Sequence, residues 1–150
     1  MSDLAWECLP FEQLTTFALY EILQLRSEVF VVEQDCVYQD LDGHDAAAWH
    51  LLGTRGGELL CYARIFSPGL KYPGASIGRV IIRQSVRGEG LGRELMTQAI
   101  AACESHWPEA PITISAQHHL ERFYGSLGFE TVSEPYLEDD IPHVQMHRGS

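Results

Sequence analysis

Arg87-Gly88-Glu89-Gly90-Leu91-Gly92 constrains this chain more than any other stretch, because of what stands on either side of it. Before it, Ser76-Ile77-Gly78-Arg79-Val80-Ile81-Ile82-Arg83 carries apolar residues on both alternating sets of positions, the pattern of a strand covered on both faces. After it, Leu91, Leu95, Met96, Ala99, Ile100 and Cys103 recur at helical spacing. They predict a helix from Leu91 to Trp107, stopped by Pro108 and Pro111. The first backbone N–H groups of such a helix lack internal partners and carry partial positive charge. Glycines let a phosphate approach them closely, and Arg87 and Arg93 add local positive charge. The pattern is neither the G-x-x-x-x-G-K-[ST] phosphate loop nor the G-x-G-x-x-G dinucleotide turn.

The rest of the chain builds a sheet around this unit. Residues 4–9 read as a short strand, and 15–31 as a helix with Leu19, Ile22, Leu23 and Phe30 on one stripe. Arg26 falls in that stripe. An acidic, turn-prone loop follows from Asp35 to Asp45. Residues 48–53 and 59–66 form a hairpin around Arg55-Gly56-Gly57-Glu58, and 67–74 a loop. A strand at 112–116 precedes a short helix at 118–127, with Gly128 and Phe129 as its closing pair. Strands near 129–134 and 143–148 flank the acidic turn Glu138-Asp139-Asp140. The expected fold class is α+β: one domain over residues 1–150, with a mixed sheet of about six to seven strands and helices on both faces.

Charge and cysteine use exclude several functions. The formal net charge is −11, whereas nucleic-acid binding needs clustered cations. An acidic surface suits solubility and attracts cationic substrates such as amines. Cys8, Cys36, Cys61 and Cys103 show no C-x-x-C spacing, and no metal is expected. No apolar run approaches the length of a membrane span, and the first residues lack a signal-like pattern. A reducing cytoplasm is the expected setting. An edge strand at either end of the sheet could pair with a second copy to form a homodimer.

R-G-x-G-x-G between a strand and a helix resembles the pyrophosphate-binding motif of the Gcn5-related N-acetyltransferases (GNAT). Phe123-Tyr124-Gly125-Ser126-Leu127-Gly128-Phe129 resembles that family's F-Y-x-x-x-G-F segment. Leu25 to Gln34, Tyr38 to Asp45 and Asp140 to Met146 are similar to the ElaA-like subgroup. The resemblance implies the GNAT fold, acetyl-CoA as co-substrate and an amine as acceptor, whether a small molecule or a peptide. It implies pantetheine contacts at Val80, Ile81 and Ile82, where the strand should part from that at 112–116 near Ile81 or Ile82. It implies a pyrophosphate cradle of Arg87, Gly88, Glu89, Gly90, Leu91, Gly92 and Arg93. Relatives often carry an Asn just before the short helix. This chain has Gln117-His118-His119, with Gln117 the expected contact. Tyr124 stands where the family often places a general acid; its bland alternative is a core aromatic.

An ammonium acceptor has a pKa near 10 and must lose a proton before attack, so a base or water chain is expected. Candidates for the base or for amine recognition are Glu33, Asp42, Asp45, His118 and His143; the bland alternatives are turn caps or loop solvation for the three acids, a water-facing helix start for His118 and a hydrogen-bonded strand residue for His143. Arg26 should pair with Asp42 or Asp45 and pin the acidic loop, or else snorkel to the surface. Three rivals remain. A metal site could use His143 and His147, although that spacing suits a helix better than a strand. An acyl-homoserine-lactone-synthase-like enzyme shares Arg26-x-x-x-Phe30. A non-catalytic CoA-binding sensor would keep the phosphate turn without turnover.

Overall fold

The computed structural model describes residues 3–149. Its strands are β1 (Ala5–Pro10), β2 (Trp49–Arg55), β3 (Glu58–Phe66), β4 (Ala75–Ile82), β5 (Ile112–Gln117), β6 (Glu130–Thr131), β7 (Tyr136–Glu138) and β8 (Ile141–Arg148). Its helices are α1 (Thr16–Arg26), α2 (Leu91–His106) and α3 (Glu121–Gly125). The sheet has eight strands in the order β1-β2-β3-β4-β5-β8-β6, with β7 also paired to β8. It exceeds the expected six to seven because the stretch after α3 yields three pieces instead of two. β1 to β4 run antiparallel, β4 and β5 are joined in parallel through α2, and β8 returns antiparallel.

Helices cover both faces. Ile22, Leu25 and Val29 pack on one face against Leu52, Leu59, Tyr62 and Ile81. On the other, Leu95, Met96, Ala99 and Ile100 of α2 pack against Ala63, Ile65, Ile77 and Ile114. Thr15 starts α1, its side chain accepting the Ala18 N–H at 3.0 Å. The expected helix at 15–31 changes character after Arg26: Ser27–Glu33 is π-helical. Leu25, Arg26 and Val29 are buried while Leu23 and Phe30 are only half-buried. The expected helix at 118–127 begins as a 3-10 turn, His118–Leu120, before α3. It closes as expected: Gly128 is left-handed at φ 95°, and the Phe129 N–H reaches back to the Tyr124 carbonyl at 3.2 Å.

The parting of β4 from β5 positions everything that follows. Their parallel pairing is limited to Ala75↔Ile112 and Ser76↔Thr113. The strands therefore separate well before Ile81, the expected point. The cause lies in β4 itself. Tyr62 pairs with Ile81 and Arg64 with Gly78, so Ala63 alone faces both Arg79 and Val80. This is a β-bulge, and Arg79 takes a left-handed φ of 50° within it. The bulge bends β4 away from β5 and opens a cleft across the sheet.

Candidate active site

Two cavities meet in the cleft. One is lined by Val80, Ile81, Ile82, Arg87, Gly88, Gly90, Leu91, Gly92 and Arg93, with Phe30 and Glu33 opposite, and encloses about 710 Å³. The other runs under the β7–β8 hairpin past Ser115, Glu138, Asp139 and His143. Gln117 and Tyr124 line both.

The first cavity ends on the glycine turn. Gly88 and Gly90 are left-handed, at φ 90° and 79°. Gly90 is the residue before α2, and no side chain caps that helix. Its leading N–H groups thus face the groove without a side-chain acceptor, which suits a phosphate. Arg87 donates from Nε to the Ile82 carbonyl at 2.9 Å, and its guanidinium grips the Glu33 carboxylate through both Nη atoms. Glu33 is thereby bound to a cation at the phosphate end and is poorly placed to act as a base. Arg93 donates to Ser126 Oγ at 2.8 Å and lies over the Phe123 ring. The Glu89 side chain turns to Arg55, with Nη2 to Oε1 at 3.0 Å, leaving only its backbone to the expected phosphate turn.

Tyr124 is 7% exposed, and its ring packs edge-on against Phe123 and Phe129. Burial pushes its phenol up to about 12, so it stays protonated. No hydrogen bond joins its hydroxyl to another described residue, although a buried phenol ordinarily finds a partner. The exposed His118 ring turns to Glu121, at 3.5 Å, while the neighbouring His119 lines the groove. His143 is 7% exposed and stacks on Tyr136.

Arg26, Asp42 and Asp45 belong to a different construction. Arg26 is fully buried; it donates from Nε to Asp40 Oδ2 and from Nη1 to Asp45 Oδ1, both at 2.8 Å. Asp40 takes the place expected for Asp42, which instead receives both Nη atoms of Arg64, at 2.9 and 2.8 Å. Arg64 also reaches Asp45 at 2.9 Å, and Arg79 reaches Asp40 at 2.7 Å. Burial pushes the Asp42 and Asp45 carboxyls up, but the arginine hydrogen bonds outweigh it and hold both below the usual carboxylate range. Such carboxylates are weak bases, and they bind the acidic loop to α1, β3 and β4. Asp40, Arg64 and Arg79 escape a sequence reading because each strand arginine resembles an ordinary outward-facing polar residue. Glu138 and Asp139 were visible only as an acidic turn.

Among the described residues, no group of His, Cys, Asp and Glu side chains is arranged to hold a metal ion. His143 and His147 both lie on β8, where a four-residue spacing separates them by about 13 Å. No helix among the described residues is long and apolar enough to cross a membrane. All four cysteines are free, and burial pushes the Cys61 and Cys103 thiols up to about 12.

A sheet parted by a β4 bulge, leading to an uncapped helix start behind a glycine turn, defines the acyl-CoA acyltransferase class. The chain belongs to the GNAT acetyltransferase family, whose domain model matches residues 14–149. Members of this family use acyl-CoA. The chain is 46% identical to the protein ElaA of Escherichia coli over 145 residues, 95% of each chain. The crystal structure of that ElaA matches at a TM-score of 0.92, covering 97% of this chain and 99% of the other. An acyl-CoA N-acyltransferase from Pseudomonas aeruginosa matches at a TM-score of 0.94 with 46% identity, covering 98% of this chain and all of that one. The AHL synthase LasI, at a TM-score of 0.73 and 16% identity over 98% of this chain and 90% of its own, shares the fold alone.

Proposed function

We propose that this protein is an acetyl-CoA-dependent N-acetyltransferase, acting as a single domain that moves an acetyl group to a primary amine by direct attack in a ternary complex. The observation that carries the reading is the free Tyr124 hydroxyl where the two cavities meet. The cavity ending on the glycine turn suits the pantetheine arm along Val80 to Ile82 and the pyrophosphate at Arg87 to Arg93. The other brings an amine to the same point from under the hairpin.

The amine nitrogen, once deprotonated, bonds to the thioester carbonyl carbon. A backbone N–H in Val80 to Ile82 is the natural donor to the oxyanion that results. As the C–S bond breaks, its electron pair goes to sulfur and Tyr124 supplies the proton. The nitrogen's second proton is then relayed through solvent to the Tyr124 phenolate and restores the phenol. Isothermal calorimetry with acetyl-CoA, followed by thiol release against an amine panel, tests the reading. Binding with turnover on an amine supports it. Binding without turnover on any amine favours the CoA-binding sensor, and no binding removes both.

A further inference from the structure

The β7–β8 hairpin contributes Glu138, Asp139, Ile141 and His143 to the cavity wall. The turn between Glu138 and Ile141 has two residues, Asp139 and Asp140, both left-handed at φ 51° and 64°. That is the geometry a tight hairpin demands, here met by two aspartates instead of glycine. It aims Glu138 and Asp139 into the cavity that His143 also lines.

His143 Nδ1 lies 2.7 Å from the Ile141 carbonyl, which can only accept. Nδ1 therefore carries a hydrogen, and in that single-hydrogen tautomer Nε2 presents a lone pair. Glu138 Oε2 lies 3.6 Å from that Nε2, too far for a hydrogen bond. Glu138 is held in place: its Oε1 accepts from Ser115 Oγ at 3.0 Å, and Tyr136 in turn donates to Ser115 at 2.6 Å. Nε2 and Oε2 are thus neighbouring acceptors with no donor joining them, on the wall of the cavity that Tyr124 also lines. An ammonium standing over the pair, on the cavity side, could donate one hydrogen to each.

The charge of the cavity extends the argument. Among the described residues Arg79 is its sole arginine or lysine, and that guanidinium is engaged by Asp40 at 2.7 and 3.0 Å. Asp139 lines the same cavity with no cationic partner among the described residues. The space is narrow, about 140 Å³, which admits an unbranched chain better than a folded peptide. Resting on the acetyltransferase reading, we infer that the acceptor is a short aliphatic diamine, its reacting ammonium donating to both Glu138 and His143 from the cavity side and its distal ammonium at Asp139. The first ammonium proton passes to His143 Nε2, and the imidazolium so formed faces Glu138 until it releases the proton to solvent. The nitrogen lone pair then attacks as described above.

The test compares kcat/KM for diaminobutane, butylamine and aminobutyrate by thiol release, with acetyl-CoA affinity measured separately by calorimetry without amine. Diaminobutane should exceed butylamine by about tenfold or more, the scale of one charge-assisted bond, with aminobutyrate last. Asp139→Asn should bring the diamine-to-monoamine ratio near unity through KM. His143→Gln should lower kcat on both amines, with acetyl-CoA affinity retained. Equal rates on diaminobutane and butylamine in the wild type, or an undiminished ratio in Asp139→Asn, would overturn the diamine assignment while leaving the acetyltransferase reading intact. Absent acetyl-CoA binding would overturn both.

Discussion

In the proposed reaction the chemistry converges on one hydroxyl, that of Tyr124. Its ring packs on Phe123 and Phe129 as a core aromatic does, which leaves the hydroxyl to be explained. Tyr124→Phe removes only that hydroxyl. With the phenol as acid, kcat should fall by roughly 10²–10⁴-fold while acetyl-CoA affinity stays close to wild type. Steady-state kinetics beside calorimetry measures both. Wild-type kcat, with chemistry shown to be rate-limiting, would return Tyr124 to the core and the thiolate to water. The phenol's raised pKa, about 12, keeps it a donor across the neutral range, so its own ionisation should not enter the pH profile there.

At the scale of elements, the glycine turn separates conformational need from ligand need. Gly90 is left-handed at φ 79°, so Gly90→Ala strains the backbone and should cost about 1 kcal/mol of stability, read from urea unfolding. Gly92 lies in the first turn of α2, where an added Cβ would meet only Phe123 Cζ, at an ordinary 3.9 Å. Gly92→Ala should therefore leave the unfolding midpoint in place and weaken acetyl-CoA binding, because the methyl would stand where the phosphate approaches. A Gly92→Ala variant that binds acetyl-CoA normally would move the pyrophosphate elsewhere. The π-helical segment adds a second test. Glu33, at its end, grips Arg87 and competes with a phosphate for the same guanidinium. Glu33→Gln should tighten acetyl-CoA binding about three- to fivefold, the scale of a partly exposed ion pair. Weaker binding in that variant would make the pair a support for the site.

At the scale of the whole molecule, the Arg26, Arg64 and Arg79 cluster ties the acidic loop to α1, β3 and β4 through Asp40, Asp42 and Asp45. Such a knot makes stability depend on pH in a direction that can be worked out. Asp42 and Asp45 have folded pKa values below their unfolded ones, so their contribution is complete above about pH 4 and is lost as pH falls further. His50 adds an earlier step. Burial lowers its pKa; its Nε2 donates to the Asp45 carbonyl at 2.9 Å, and Tyr62 donates to its Nδ1 at 2.7 Å. A histidine kept neutral by the fold contributes fully above about pH 6.5 and progressively less below it. Urea midpoints should be level above pH 6.5, decline gently down to pH 4, and then drop steeply. A midpoint that rises on acidification from pH 7 to pH 5 would contradict this assignment of His50.

The order of elements, the parallel unit around Leu91 to Trp107, the glycine turn and the phenol of Tyr124 were all readable along the chain. Each depends on residues within a few positions of one another: strand alternation, helical spacing and the freedom of glycine at positive φ. The acidic turn at Glu138 to Asp140 was readable as a turn, but nothing local said that it leans over a cleft beside His143. Arg26 announced itself as a charge inside an apolar stripe, whereas its chief partner Asp40 and the supporting Arg64 and Arg79 did not, because they meet only when three elements pack together. The same is true of the early parting of β4 from β5, which follows from a bulge set by register against β3. Local propensity thus chose the pieces, and burial of charge decided which carboxylates structural arginines would neutralise and which, at the hairpin, were left facing the cleft.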